Sequence, residues 1–352
     1  MSLGVIEGFY GETWGWRART EALPFLAAAG FTFFIYAPKG DRRLRREWRT
    51  AHDSADAKEL RDFGTACRAV GIGFGVGLTP LALHEAWDGE GRSDLERRLE
   101  SLKTLRLDWL GVLFDDMRGD MPHLAQTQAD IVKVVADSGV AAHLMMCPTY
   151  YSDAPILDRL FGDRPAGYLG ALGRAMDNAV DICWTGEKVV SPNYTAAHLE
   201  RVADEMGQKP LIWDNYPVND GPRMSRFLHL AAPDRGPEIL PRVAGLMMNP
   251  MNQSWLSRIP MHAAAESLQG RGAGSTEADT MQAIDKLLPA ALAGQLSVDW
   301  RAFQENGMET LQDTERDELL RIYTGLEHPA AAEIVRWLKG DYAVSAEILT
   351  DV

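Results

Sequence analysis

Gly111-Val112-Leu113-Phe114-Asp115-Asp116-Met117 is the stretch on which the reading of this chain turns. It opens as a short apolar run, the pattern of a buried β-strand. It ends in two adjacent carboxylates, although aspartate is depleted in strands. Two acids at the carboxyl end of a buried strand cost folding free energy through desolvation and mutual repulsion. A cost of that kind marks a candidate site of chemistry. The competing reading of these residues alone is that the acids start a loop and cap the next helix.

Working outward, the run Trp109–Phe114 is one of eight. The others are Gly4–Gly8, Phe31–Tyr36, Gly73–Leu78, Ala141–Cys147, Asp181–Trp184, Pro210–Trp213 and Ala244–Met248. Helical patterns fit between them, from about Ser54 to Val70, Asp94 to Leu105, Leu124 to Ser138, Tyr168 to Asn178 and Thr195 to Met206. Nearly continuous apolar strands alternating with helices predict a parallel sheet covered on both faces. Eight such units over about 260 residues predict an α/β fold, the (β/α)8 TIM barrel. The alternative, a doubly wound sheet, normally has about five to seven strands.

Gly71-Ile72-Gly73-Phe74-Gly75-Val76-Gly77 invites comparison with a phosphate loop. It does not match the dinucleotide fingerprint, and no Gly-Lys-Ser/Thr follows. Its glycines alternate and so lie on one face of a strand, where they leave room for bulky neighbours inside the barrel. Near Gln269–Ser275 the composition turns small and flexible, which marks a boundary. Thr276 and Thr314 each precede an acid by three residues, as in a capping box. Gly325 and Gly340 read as helix stops, and Pro329 suits a first helical turn. The expected organisation is a catalytic barrel over residues 1–268 and a small all-helical C-terminal region over 276–352.

The 352 residues carry a formal charge of -14. That balance argues against nucleic acid and anionic membranes as partners, since both attract basic surface. No window approaches the roughly 18 apolar residues of a membrane span, and the N-terminus has no signal-peptide pattern. Three widely spaced cysteines, Cys67, Cys147 and Cys183, predict buried free thiols and a reducing, cytoplasmic setting. The eight histidines form no metal-binding motif. No Gly-x-Ser-x-Gly elbow is present. No metal and no cofactor are expected.

Barrel enzymes work at the carboxyl ends of their strands. Here those ends supply Gly8-Phe9-Tyr10-Gly11 with Trp14, Tyr36-Ala37-Pro38-Lys39, Asp115-Asp116, Cys147-Pro148-Thr149-Tyr150-Tyr151, Trp184-Thr185-Gly186, Trp213-Asp214-Asn215-Tyr216-Pro217-Val218-Asn219-Asp220 and Asn249-Pro250. Taken singly, the aromatic residues could be rim packing, Lys39 a solvated charge and Asn215 a turn residue. Taken together they offer what a sugar needs: aromatic faces for its C–H side, carboxylates and amides for its hydroxyls.

In this order, over residues 4 to about 262, these motifs resemble glycoside hydrolase family 84, which holds the protein O-GlcNAcases and bacterial β-N-acetylglucosaminidases, hyaluronidase-like enzymes among them. The resemblance implies a retaining enzyme that removes terminal β-linked GlcNAc, from Ser/Thr of proteins or from other glycans, by substrate-assisted catalysis. It implies that Asp115 orients the 2-acetamido group, whose oxygen attacks the anomeric carbon to give an oxazoline. Asp116 then protonates the leaving oxygen and later deprotonates water. Adjacent like charges should raise one apparent pKa, which suits a general acid. Neighbours on an extended chain point to different sides, so the two are not an obvious nucleophile and acid about 5–5.5 Å apart, as in ordinary retaining enzymes.

By the same resemblance Tyr151 serves the acetamido oxygen and Asn215 supports the acetamido group or Asp115. Asp220 binds the 4- and 6-hydroxyls, with Asn249, Lys39 and the Gly8 carbonyl completing the pocket and Trp213 and Val189 lining it. Tyr150 stands where relatives often carry an acid. The small βαβ domain that often precedes the barrel in relatives is not matched, and nothing after Gly270 is assigned. The implied partner is an N-acetylglucosaminide, and the C-terminal helices could mediate a homodimer. A sugar-binding barrel without turnover and a metal-assisted barrel hydrolase, with the two aspartates as ligands, are the competing functions.

Overall fold

The computed structural model describes residues 2–344. The first residue of the expected barrel and the last eight of the expected 276–352 region lie outside the described residues. Eight parallel strands close on themselves in sequence order, with β1 pairing both β2 and β8. The fold is a (β/α)8 barrel.

The order is β1 (Ser2–Glu7), α1 (Trp16–Ala29), β2 (Phe33–Tyr36), α2 (Ser54–Ala69), β3 (Gly73–Leu78), α3 (Gly89–Lys103), β4 (Leu107–Leu113) and α4 (Leu124–Asp137). Then come β5 (Ala141–Cys147), α5 (Ile156–Phe161), α6 (Tyr168–Ala175), β6 (Val180–Trp184), α7 (Ala196–Met206), β7 (Leu211–Asp214) and β8 (Gly245–Met248). Helices α8 (Arg258–Leu268), α9 (Thr276–Leu287), α10 (Ala290–Glu305), α11 (Asp313–Thr324) and α12 (Pro329–Leu338) complete the chain.

All eight expected strands are present, β3 and β5 with the expected ends and the others with ends shifted by at most two residues. Helix α3 begins five residues before its expected start because Asp88 accepts hydrogen bonds from the amides of Glu90 and Gly91, a cap that outweighs the two glycines behind it. Helices α1, α8 and the short α5 are additions to the sequence-based expectation. Pro24 interrupts the helical pattern of α1. Helix α8 is buried on nearly every side, so it shows no amphipathic period. The crossover from β7 to β8 has only short 3₁₀ turns. Prolines 217, 222, 233, 237 and 241 deny a longer helix its amide donors.

The glycines of β3 do make room. A Cβ at Gly75 would meet Trp109 Cβ at 2.5 Å and Ile35 Cδ1 at 2.8 Å, and one at Gly77 would meet Leu113 Cδ1 at 2.6 Å. The freed space lets Phe33, Trp109 and His143 stack across β2, β4 and β5, with centroids 4.7 and 4.6 Å apart.

A second apolar core joins the C-terminal helices to the barrel. It contains Leu228, Leu230 and Met251 from the loops around β8, Ile259 and Ala263 from α8, and Leu296, Trp300, Phe303, Tyr323, Ile334 and Trp337 from α10 to α12. The opposite side of α8, including Met261, Ala264, Ala265 and Leu268, belongs to the barrel core. Glu333 on α12 fastens the two, accepting hydrogen bonds from the amides of Trp255 and Leu256 and from the Ser254 hydroxyl at 3.0–3.1 Å. Helix starts differ from expectation by one or two residues. Ser275, not Thr276, caps α9, and the box on α11 is Gln312 with Glu315, not Thr314. Pro329 opens α12 as expected, and Gly325 and Gly340 follow the ends of α11 and α12.

Candidate active site

The ten residues singled out from sequence converge. Asp115, Asp116, Gly8, Lys39, Tyr151, Val189, Trp213, Asn215, Asp220 and Asn249 all line one cavity of about 230 Å³ at the carboxyl ends of the strands. A larger hollow, about 660 Å³, lies over Trp16 and His52, so size does not select the site. The convergence of carboxylates does.

The wall is tied strand to strand. Asn249, just past β8, accepts a hydrogen bond from the Gly8 amide at 3.1 Å and donates to Asn215 Oδ1 at 3.0 Å. Asn215 in turn donates to the Val189 carbonyl at 3.1 Å. Three side-chain and backbone amides therefore link the ends of β1, β8, β7 and β6, and the direct contacts of Asn215 are with this wall. Gly8 has no substitute here, since a Cβ would meet Trp213 Cζ2 at 2.5 Å. On the other side the Tyr151 carbonyl accepts the Thr185 amide at 2.9 Å. The Tyr151 ring is buried, and that burial pushes its phenol far above the usual range.

The acidic pair sits opposite. Neither aspartate caps a helix: α4 starts at Leu124, after His123, which removes the capping alternative. Nor is the chain extended between them. Asp116 has φ 57°, the left-handed region that Asp tolerates better than most residues. That turn brings both carboxylates to one cavity instead of opposite faces. Lys39 donates to Asp115 Oδ2, and its Nζ lies 3.9 Å from Asp116 Oδ2. Asp115 Oδ1 is buried and has no partner among the described residues.

Burial pushes the Asp115 carboxyl upward and the charge of Asp116 adds to this, while Lys39 opposes both. For Lys39 burial acts downward, but Asp115 and then Asp116 outweigh it and hold the ammonium above its usual range. The two directions conflict for a pair in contact. We place opposite charges on it, because a neutral acid beside a buried uncompensated ammonium costs more than the ion pair. Sequence reasoning ties the raised acid of the pair to the general-acid role; the upward push falls instead on Asp115, the acid expected to orient the acetamido group.

Tyr10 is the main residue of the cavity that sequence reasoning passes over. Its hydroxyl donates to Asp116 Oδ2 at 2.8 Å and its amide to Asp220 Oδ2 at 2.8 Å. Burial pushes the Asp220 carboxyl up to about 6, against the pull of that amide. The signal was Tyr10's place in the first strand-end motif. Cys147, Thr185, Val190, Val218 and Gly221 also line the cavity. The three cysteines are free and buried, as expected.

Comparison with known proteins places this geometry. The model of the beta-N-acetylglucosaminidase family matches residues 3–300. The mouse and rat proteins named Protein O-GlcNAcase are each 27% identical over 271 residues, covering 74% of this chain and 29% of theirs. The chain thus spans under a third of the length of those relatives. A mutant of the Thermobaculum terrenum O-GlcNAc hydrolase superposes with a TM-score of 0.76 at 26% identity, covering 96% of this chain and 80% of that one. With the match running through every strand-end motif of the barrel, the chain belongs to the beta-N-acetylglucosaminidase family, glycoside hydrolase family 84.

Proposed function

We propose that the protein is a retaining glycoside hydrolase that removes terminal β-linked N-acetylglucosamine, with O-linked GlcNAc on Ser/Thr of proteins as its substrate class. The observation that carries this is the open oxygen of Asp115: Oδ1 is buried in the cavity without a partner, while Lys39 holds the other oxygen. A 2-acetamido N–H bound there satisfies an acceptor that is costly to leave unmade. It also turns the amide carbonyl toward the anomeric carbon.

In that mechanism Asp115 polarises the acetamido group as its oxygen bonds to C1. Asp116, one residue on and more exposed (20% against 8% for the side chain), meets the leaving oxygen nearer the mouth. It gives up its proton as the C1–O bond breaks, then takes one from the water that opens the oxazoline. Asp220 and Asn249 receive the distal hydroxyls. Names of the mouse and rat relatives support the protein-linked substrate.

The test is release of a chromogenic aglycone from an aryl N-acetylglucosaminide, with inhibition by a GlcNAc thiazoline that mimics the oxazoline. Absence of inhibition removes the acetamido mechanism; absence of release from any N-acetylglucosaminide removes the function. Full activity in chelator separates this reading from a metal-assisted hydrolase. The three buried thiols support a cytoplasmic, reducing setting. A homodimer through α9 to α12 is part of the same reading, and light scattering at assay concentration checks it. No helix of the described residues is long and apolar enough to cross a membrane.

A further inference from the structure

We propose that Tyr10 is a positioning residue for Asp116: its hydroxyl holds Oδ2, so that the proton delivered to the leaving group rides on Oδ1. The inference rests on the glycosidase reading above and deepens it.

Tyr10 is fixed from both sides of its backbone. Its amide donates to Asp220 Oδ2 at 2.8 Å, and its carbonyl accepts from Asn252 Nδ2 at 3.0 Å. Asn252 also donates to the Glu12 carbonyl at 2.8 Å, which pins the whole turn after β1. From that anchored turn the phenol reaches across to Asp116 Oδ2 at 2.8 Å. One residue therefore spans the cavity from the carboxylate proposed to read the sugar hydroxyls to the one proposed to move the proton.

Asp116 needs such a restraint. Its left-handed backbone, φ 57°, is a conformation that persists where the surroundings over-determine it. Its two oxygens are not equivalent. Oδ2 faces the Tyr10 hydroxyl at 2.8 Å and the Lys39 ammonium at 3.9 Å. Among the described residues no hydrogen bond reaches Oδ1. A neutral carboxyl carries one O–H and keeps acceptor capacity on its other oxygen. With a donor already on Oδ2, the proton belongs on Oδ1.

The steps then balance through one atom. Oδ1–H passes its proton to the glycosidic oxygen as the C1–O bond breaks, the bonding electron pair stays on that oxygen, and the acetamido oxygen bonds to C1. In the second step the oxygen of water bonds to C1, the bond from C1 to the acetamido oxygen breaks, and a water proton returns to Oδ1. Tyr10 keeps its own proton throughout. Burial and the charge of Asp116 hold its phenol far above the usual range, which suits a fixed donor and not a proton carrier.

Tyr10→Phe removes the hydroxyl and keeps the ring. For an alkyl or methoxyphenyl N-acetylglucosaminide, whose departure needs a proton, kcat/KM should fall about tenfold or more, the size of one hydrogen bond to a charged group. For a dinitrophenyl substrate it should fall by about threefold or less. The alkaline limb of kcat/KM should move to higher pH, because the Asp116 anion loses a donor. A readout independent of turnover is the Asp116 titration followed by carbon-13 NMR of labelled aspartate, which should move the same way. Equal loss on both substrates with an unmoved pH profile and an unmoved titration overturns the proposal. If the wild type cleaves no N-acetylglucosaminide, the glycosidase reading falls, and the NMR titration still decides whether Tyr10 holds Asp116.

Discussion

Three buried acids stand at strand ends of this barrel, and they are built in two ways. Glu7 closes β1 and Asp214 closes β7, and each is gripped by an arginine using two nitrogens. Arg19 donates to both oxygens of Glu7 at 2.7 Å, and Arg235 donates to the two oxygens of Asp214 at 2.6 and 2.9 Å. Asp115 follows β4 and meets a lysine on one oxygen only. An arginine fork saturates a carboxylate, whereas a lysine is a point charge that leaves the second oxygen open. Side-chain parity separates the two groups: Gly8, Trp213 and Asn215, next in sequence to the closed acids, line the cavity, so the closed acids point away from it. Closed pairs hold the barrel together; the open one is available to a ligand.

The largest effect should come from the open acid. Asp115→Ala is expected to lower kcat/KM about 10³-fold on every aryl N-acetylglucosaminide, the scale of losing an electrostatic stabiliser, in addition to the stability lost by stranding the buried Lys39 ammonium. A large stability loss without an activity loss would erase the distinction. Next, Asp116→Ala should cost about 10²-fold where the leaving group is poor and much less for a dinitrophenyl group. A loss that ignores leaving-group acidity would assign Asp116 a different role.

Breaking a closed pair should show the opposite pattern. Arg235→Met strands the Asp214 carboxylate and should destabilise the protein by about 3–5 kcal/mol in chemical denaturation. Activity per folded molecule should fall less than in Asp115→Ala. A neutral effect on stability would place this pair with the solvent-screened ones.

The smallest predicted effect is a pH dependence. Asp220 is raised to about 6, so its carboxylate accepts sugar hydroxyls above that pH and is protonated below it. An acid limb near pH 6 should appear in kcat/KM and vanish in Asp220→Asn. Persistence of the limb in the variant would assign it to another group, such as Asp115.

How much was legible in the chain depends on the residue. The strands were visible as apolar runs because parallel strands are buried on both faces. Three helices were not: α1 is interrupted by Pro24, α5 has only six residues, and α8 is packed between two cores and so without a polar face. The strand-end stretches were legible because barrel topology sends every strand end to one mouth, and the resemblance to the family picked the ten site residues out of them. Tyr10 was quoted within its motif yet carried no assigned role. Nothing local distinguishes a tyrosine that rims a barrel from one whose hydroxyl meets an acid 106 residues away.

By itself the sequence determined the barrel, the set of residues at its mouth and the family to which they belong, since periodicity and motif order are properties of the chain. Only the tertiary structure decided how the two aspartates are disposed. A left-handed turn at Asp116 brings neighbouring carboxylates to one cavity, a lysine 76 residues away takes one oxygen of Asp115, and Tyr10 takes one of Asp116. Those are contacts between distant segments, and their geometry exists only once the barrel has closed.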